Sequence, residues 1–446
     1  MSNLSSRLAR QRQIAQHLWQ SYLQAGDFFQ FDRWLATEFK KHGRFGKRDR
    51  ALYREWLFTA LRFGTLAATL MEYGERPDAK PLAQYLDELA RQPTDPHRIA
   101  AQWRTLDANL FFTLIETRYH HGREEEALLP LPEPLPEPLA AQYQALARLA
   151  EHELPALLLW QGIPLDYLAP LQARAALIDW DKPTLCRWVA QQSLRPPVWV
   201  RINHPERRAE VLAELENLII GEEGDALALS VQGSLNNFRC FQQGWLEVQD
   251  LASQQLGGAV LCQPGDTVWD ACAGAGGKTL QLLSRLQHQG LVVASDIRSH
   301  KLKELQKRSR QAGFHNLQPL HWDGKALPAL PEEVRQRGGF DWVLVDAPCS
   351  SSGTWRRNPE VRHRELGTDL KQLTALQQQL LHQAAQGVKP GGYLVYGTCS
   401  FRTEENEAVV QTLLDQGGWT LELQQMVGCP EQDADTMFVA RLRADH

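Results

Sequence analysis

From residue 249 onward, short apolar runs alternate with amphipathic stretches. Positions 267–269, 291–294, 342–345 and 393–396 read as buried strands, and 278–288, 299–312 and 370–386 carry helical spacing. Strands alternating with helices of this length predict a parallel, doubly wound sheet. The first 128 residues are patterned differently, with long amphipathic runs such as 50–70 and no alternation of period two. Between these regions Pro130-Leu-Pro-Glu-Pro-Leu-Pro-Glu-Pro138 excludes both helix and central strand, since each proline fixes φ and removes a donor. It reads as an extended spacer at a domain edge. Helical spacing returns over 140–192. Val198-Trp-Val-Arg-Ile202, a helix over 207–218 and short strands up to Val248 then form a small α+β segment. The expected organisation is multidomain: an all-α domain over 1–140, a helical linker and α+β module over 141–248, and an α/β domain over 249–446.

Composition narrows this picture. The 446 residues are 43% hydrophobic and 23% charged, ordinary for a globular protein, and no run approaches the ~20 apolar residues of a membrane span. The first 26 residues lack acids and carry Arg7, Arg10 and Arg12, as transit peptides do. Leu8, Ile14, Leu18, Tyr22 and Leu23 nevertheless keep helical spacing, so the segment reads as the first helix of a domain. The seven cysteines are odd in number and form no Cys-x-x-Cys pair. Neither a disulfide framework nor a zinc site is expected, and reduced thiols fit a cytoplasmic compartment. The net charge of −5 does not announce a polyanion binder. Basic residues do cluster, at Lys40–Arg50, at Lys301, Lys303, Lys307, Arg308 and Arg310, and at Arg356, Arg357, Arg362 and Arg364. Such runs are more often solvated faces than binding sites; they permit a polyanionic partner without establishing one.

Candidate chemistry lies at the strand ends. Asp270-Ala-Cys-Ala-Gly-Ala-Gly-Gly-Lys-Thr279 follows a strand and opens a helix. A nucleotide-hydrolase P-loop needs glycine at position 272, which is cysteine, so that reading fails. What remains is a Rossmann-like turn whose glycines let backbone approach a ligand at a helix N-terminus. Asp296, ending the next strand, is placed to accept the ribose hydroxyls of a nucleoside cofactor. Asp323 is placed for an adenine amino group. Asp270, Asp296, Asp323 and Asp346 all fall at predicted carboxyl edges, and four acids suit a cationic sulfonium better than a pyrophosphate. Two further strands run into Asp346-Ala-Pro-Cys-Ser350 and Gly397-Thr-Cys-Ser400. A single cysteine is usually a small buried hydrophobe. Two, each followed by serine at the same sheet edge, point to thiol chemistry. A thiolate adding to carbon 6 of a pyrimidine makes carbon 5 nucleophilic, and covalent catalysis then divides one hard methylation into easier steps. Asp346 could hydrogen-bond the ring nitrogen and exocyclic amine of cytosine.

These segments together resemble the Sun/Fmu and Nop2-type RNA cytosine-5 methyltransferases, with bacterial 16S rRNA enzymes the nearest pattern. The resemblance rests on Val248-Gln-Asp-Leu-Ala-Ser-Gln254, the Asp270–Thr279 turn, Asp346–Thr354 with Arg356-Arg-Asn-Pro359, Lys389-Pro-Gly-Gly392, and Tyr396-Gly-Thr-Cys-Ser400 with Glu404-Glu-Asn-Glu407. It implies a class I methyltransferase domain using S-adenosylmethionine, with Cys399 as nucleophile and Cys349 assisting product release. It further implies a cofactor site of Cys272, Ala273, Gly274, Ala275, Gly276, Gly277, Lys278, Asp296, Asp323 and Asp346. Upstream, Pro197-Val-Trp-Val-Arg-Ile-Asn203 resembles the strand entering the family's substrate module. Arg48-Asp-Arg-Ala51 and Leu57-Phe-Thr-Ala-Leu-Arg-Phe-Gly64 resemble an antiterminator-like RNA-binding domain. Ala275 stands where the family usually has proline, and Asp435-Thr-Met-Phe438 replaces its usual Gly-Phe-Phe. The expected partner is RNA, ribosomal before transfer RNA, with no membrane and no metal, and with a monomer favoured. The alternatives are a tRNA cytosine-5 enzyme and an RNA-binding assembly factor with little turnover, although the latter needs neither Cys399 nor the cofactor turn.

Overall fold

The computed structural model describes residues 2–26, 28–75, 80–122, 127–230 and 234–445. The chain divides into two compact units. One comprises residues 1–195 with 355–368, and the other 196–354 with 369–446.

Every regular element described in the first unit is helical. The acid-free start forms the helix Ser2–Ala25, and the amphipathic run around 50–70 forms Lys47–Gly74. Asp95, Asp107 and Asp181 cap the helices that follow them by accepting backbone N–H groups, satisfying donors that a helix start leaves orphaned. Trp19, Trp56, Trp103 and Phe111 are buried between these helices. Glu116 is buried with them and accepts from Trp56 Nε1 at 2.7 Å and Arg12 Nε at 3.0 Å. The proline spacer lies within this unit, joining the helices Ala108–His120 and Leu139–Ala150.

One basic cluster is corrected here. Arg356 and Arg362 are buried, so neither belongs to a solvated face nor is open to phosphates. Their guanidiniums cap backbone carbonyls instead. Arg362 donates to Gln161 O and Gln192 O, both at 2.9 Å, and Arg356 Nε donates to Leu194 O at 3.1 Å. Charge spacing alone does not reveal this, because a planar fork with five donors serves helix ends as well as phosphates. Gly162 is part of the same packing, for a Cβ there would meet Arg62 O at 1.6 Å. By contrast Arg44, Lys47, Arg48 and Arg50 are exposed.

The second unit holds two sheets. The smaller contains β1 (Val198–Ile202), β2 (Ile219–Glu223), β3 (Ala226–Leu229) and β4 (Leu246–Val248), in the order β2-β3-β1-β4 with antiparallel pairing throughout. The larger contains β5 (Thr267–Asp270), β6 (Leu291–Asp296), β7 (Leu317–His321), β8 (Phe340–Asp346), β9 (Val388–Thr398), β10 (Trp419–Gly428) and β11 (Thr436–Ala444), in the order β10-β11-β9-β8-β5-β6-β7. Strands β5 to β9 are parallel, and β11 and β10 pair antiparallel.

The expected α/β sheet is thus present, with side chains alternating between two buried faces. Val268, Val292, Leu344 and Val395 pack on one side, and Trp269, Val293, Val343 and Leu394 on the other. The helices Gly277–Arg285, Ser299–Gln311 and Leu370–Ala385 occupy the predicted positions. Strands β7, β10 and β11 extend the sheet beyond the four anticipated runs. β7 and β10 lie at its edges and are mostly half-exposed or exposed, so no continuous apolar run marks them. Strand order reverses between β5 and β8, and a doubly wound sheet opens its ligand crevice at such a point, outside the carboxyl ends.

Candidate active site

The candidate residues lie along that edge. The chain leaves β5 at Asp270 and turns through 271–276 into the helix that starts at Gly277. Gly276 sits at φ 91°, and a Cβ there would meet Leu305 Cδ1 at 2.1 Å, so glycine is required for the turn to close. Two arginines hold the turn from outside. Arg201 of β1 donates to Gly277 O at 3.0 Å, and Arg308 donates to Ala275 O while pairing with Glu247 of β4 at 2.7 Å. Neither role is legible from sequence, since both depend on how β1 and β4 pack beside the turn.

Asp270 is fully buried. Its Oδ2 accepts from Thr279 Oγ1 at 2.6 Å, and Oδ1 has no hydrogen-bond partner. Burial, assisted by the charge of Asp346, pushes its pKa up to about 7 against the Thr279 bond and Lys278. Asp296 Oδ2 accepts from Gly274 N at 3.0 Å, which ties the end of β6 to the turn. Arg298 supplies three more donors to the same carboxylate: its backbone N at 2.7 Å, Nε at 3.0 Å and Nη2 at 3.1 Å. Burial raises the Asp296 pKa, but the Arg298 and Gly274 bonds outweigh it and hold the carboxyl below its ordinary value. The exposed Arg298 side chain thus covers the Asp296 carboxylate. Asp323 lies two residues past His321, the partner of Asp296 in the β6–β7 register. It is exposed, with its carboxylate accepting from Lys325 N at 3.1 Å.

Lys278, in the first turn of its helix, donates to Asp346 Oδ2 at 2.8 Å and so joins the glycine turn to the end of β8. Beyond Asp346 lies Cys349, and beyond β9 lies Cys399, with the two Sγ atoms 3.3 Å apart. That separation is a hydrogen bond between the two sulfurs and not the ~2.05 Å of a disulfide. The pair is asymmetric. The hydrogen bond from Cys349 lowers the Cys399 pKa, assisted by Ser351 and Lys278 against burial and Asp346. The same bond, with burial and the charges of Cys399 and Glu405, pushes Cys349 far above the usual thiol range. Of the two, Cys399 is the thiol more readily deprotonated and Cys349 the one that holds its proton more strongly. Burial also pushes the Cys272 thiol up, so it differs from Cys399 and not from Cys349. Among the described residues no group of His, Cys, Asp and Glu has the arrangement of a metal site, and no helix is long and apolar enough to cross a membrane.

Residues 259–443 match the family described as 16S rRNA methyltransferase RsmB/F. This segment of the chain is similar to RsmB/F methyltransferases. All the candidate site residues fall within it, as do residues 355–368 of the helical unit, whereas the small sheet and residues 1–195 lie outside the matched segment. The chain is also similar to curated relatives. The chain is 34% identical over 237 residues to ribosomal RNA small subunit methyltransferase B of Vibrio cholerae, a match covering 51% of this chain and 52% of the relative. It is 33% identical over 271 residues to the protein of that name from Enterobacter sp., covering 57% and 61%. The matched region thus spans about half the length of these relatives. Among solved structures, PH0851 superposes with a TM-score of 0.66 at 23% identity, covering 96% of this chain and 98% of that one. NSun6 from Pyrococcus horikoshii with SFG gives 0.53 at 17% identity, covering 62% and 98%. These likenesses establish the fold, a class I methyltransferase sheet with a largely helical N-terminal region.

Proposed function

We propose that the protein transfers a methyl group from S-adenosylmethionine to carbon 5 of a cytosine in small-subunit ribosomal RNA, through a covalent adduct on Cys399. The observation that carries this reading is the 3.3 Å pair of cysteine sulfurs, set beside the Lys278–Asp346 bridge at the reversal point of the sheet. A nucleophilic thiolate next to a retained thiol matches the demands of attack followed by elimination. The names of the curated relatives support the ribosomal substrate.

The residues present fit the cofactor. The glycine turn opens a helix at the crevice, the Asp296 carboxylate suits ribose hydroxyls, and the orphaned Oδ1 of Asp270 adds an acceptor beside Asp346. When bound, S-adenosylmethionine supplies the methyl group. The chain's own residues do the rest. The Cys399 thiolate forms a bond to carbon 6, and carbon 5 gains nucleophilic character and takes the methyl. A base then removes the carbon 5 proton, and the carbon–sulfur bond breaks with Cys349 assisting release. Asp346, with Oδ2 held by Lys278, keeps Oδ1 to accept from the exocyclic amine of cytosine. Exposed Arg44, Lys47, Arg48 and Arg50 suit contact with RNA phosphates.

Purified protein given methyl-labelled S-adenosylmethionine and small-subunit rRNA should place the label in 5-methylcytidine. Asp296→Ala should bind the cofactor about 1.5–3 kcal/mol more weakly by calorimetry, the range for a charged hydrogen bond. Unchanged affinity in a folded variant removes Asp296 from the site, and label in another nucleoside refutes the chemistry.

A further inference from the structure

Cys349 and Cys399 lie on separate loops, one after β8 and one after β9, and no covalent link sets their spacing. Both loops close on one carboxylate. Glu405 is fully buried. Its Oε1 accepts from Ser350 N at 2.8 Å and Gln377 Nε2 at 2.9 Å, and its Oε2 accepts from Ser350 Oγ and Ser400 Oγ, each at 2.5 Å. Four donors fill the four lone-pair sites of an ionised carboxylate. Two of them come from the residue after Cys349 and one from the residue after Cys399. Gln377 also donates to Pro348 O at 3.0 Å, Ser352 Oγ and Ser400 Oγ are 2.9 Å apart, and Asn406 Nδ2 holds Ser400 O at 2.9 Å. A buried charge is costly, and an apolar replacement often stabilises a fold as well or better. A charge placed where two thiol loops meet therefore points to geometry as its purpose.

We propose that Glu405 is the positioning residue of the thiol pair: by binding both loops to one carboxylate it sets the spacing between the sulfur that attacks and the thiol that assists release. The inference rests on the cytosine-5 reading above for what the pair does, but not for how it is held. The charge of Glu405 also adds to the Cys399 hydrogen bond and to burial in keeping the Cys349 thiol protonated.

Two substitutions separate the roles. In Glu405→Gln the amide oxygen still accepts from Ser350 N and Gln377, and the amide N–H groups meet the two serine hydroxyls, which can accept. Glu405→Ala frees both loops. The spacing is read without RNA or cofactor, by treating each protein with the thiol oxidant diamide and following the Cys349–Cys399 disulfide by peptide mass spectrometry. Cross-linking in Glu405→Gln should match the wild type, and in folded Glu405→Ala it should slow about tenfold. Turnover of Glu405→Ala should fall about 100-fold with cofactor affinity unchanged, the cost of an ångström-scale misplacement, and Glu405→Gln should recover most of it. Wild-type cross-linking in folded Glu405→Ala overturns the proposal. If that variant does not fold, the Ser350→Ala/Ser400→Ala pair carries the same expectation and the same refutation. Slowed cross-linking together with a wild type that methylates no RNA leaves the positioning role standing and rejects the proposed function.

Discussion

Cys399→Ala should abolish methyl transfer and leave no covalent RNA adduct, because no thiolate then reaches carbon 6. Cys349→Ala should behave differently. Attack and methylation still proceed, but elimination loses the thiol that lies 3.3 Å from the attacking sulfur, so enzyme accumulates joined to methylated RNA. Denaturing electrophoresis with labelled RNA reads this as a slowly migrating band, present with Cys349→Ala and absent with Cys399→Ala or the double variant. The asymmetry of the pair supports this order of events, since the Cys399 thiol is held below its ordinary pKa and the Cys349 thiol above it. A reversed pattern makes Cys349 the nucleophile, and unchanged turnover in both variants makes both thiols structural.

The second large effect is on stability. Asp270 has a folded pKa of about 7 against an ordinary 3.8, chiefly from burial. Between these values the folded chain holds a proton that the unfolded chain has released, so stability falls as pH rises through the interval. The full cost is present above the folded pKa. Asp270→Asn keeps an acceptor for Thr279 Oγ1 and removes the titration. Its stability relative to wild type should therefore grow by roughly 2–3 kcal/mol between pH 5 and pH 8, measured by urea unfolding without cofactor. A difference independent of pH means that the carboxyl is already ionised in the fold. The cost is consistent with a site held ready for a cationic ligand, at the expense of the empty protein.

The parts legible in the sequence were those with strong local rules. Thr267–Asp270 and Leu291–Asp296 are buried on both faces and show it as apolar runs, and the glycine turn shows its conformation in its composition. The strand-end cysteines were visible for the same reason, as Pro-Cys-Ser and Thr-Cys-Ser directly after such runs. What was hidden depends on tertiary partners. Leu423 and Gln425 of β10 are on an edge strand whose pattern is too mixed to stand out. Arg298 follows Asp296 by two residues, yet only the fold shows that it covers the carboxylate expected to hold ribose. Arg362 looks like a surface cation until its carbonyl partners are seen. Glu405 sits in the Glu404-Glu-Asn-Glu407 motif, whose composition does not show that its side chain is the most completely hydrogen-bonded acid near the thiols.

Bisulfite sequencing of total RNA from cells with and without this protein tests the central claim most directly, because 5-methylcytosine resists conversion and reports both the RNA and the position. The account predicts a protected cytosine in small-subunit rRNA that becomes convertible when the gene is removed and is restored by the wild type but not by Cys399→Ala. Identical protection in the two strains, or a lost site confined to transfer RNA, would contradict it.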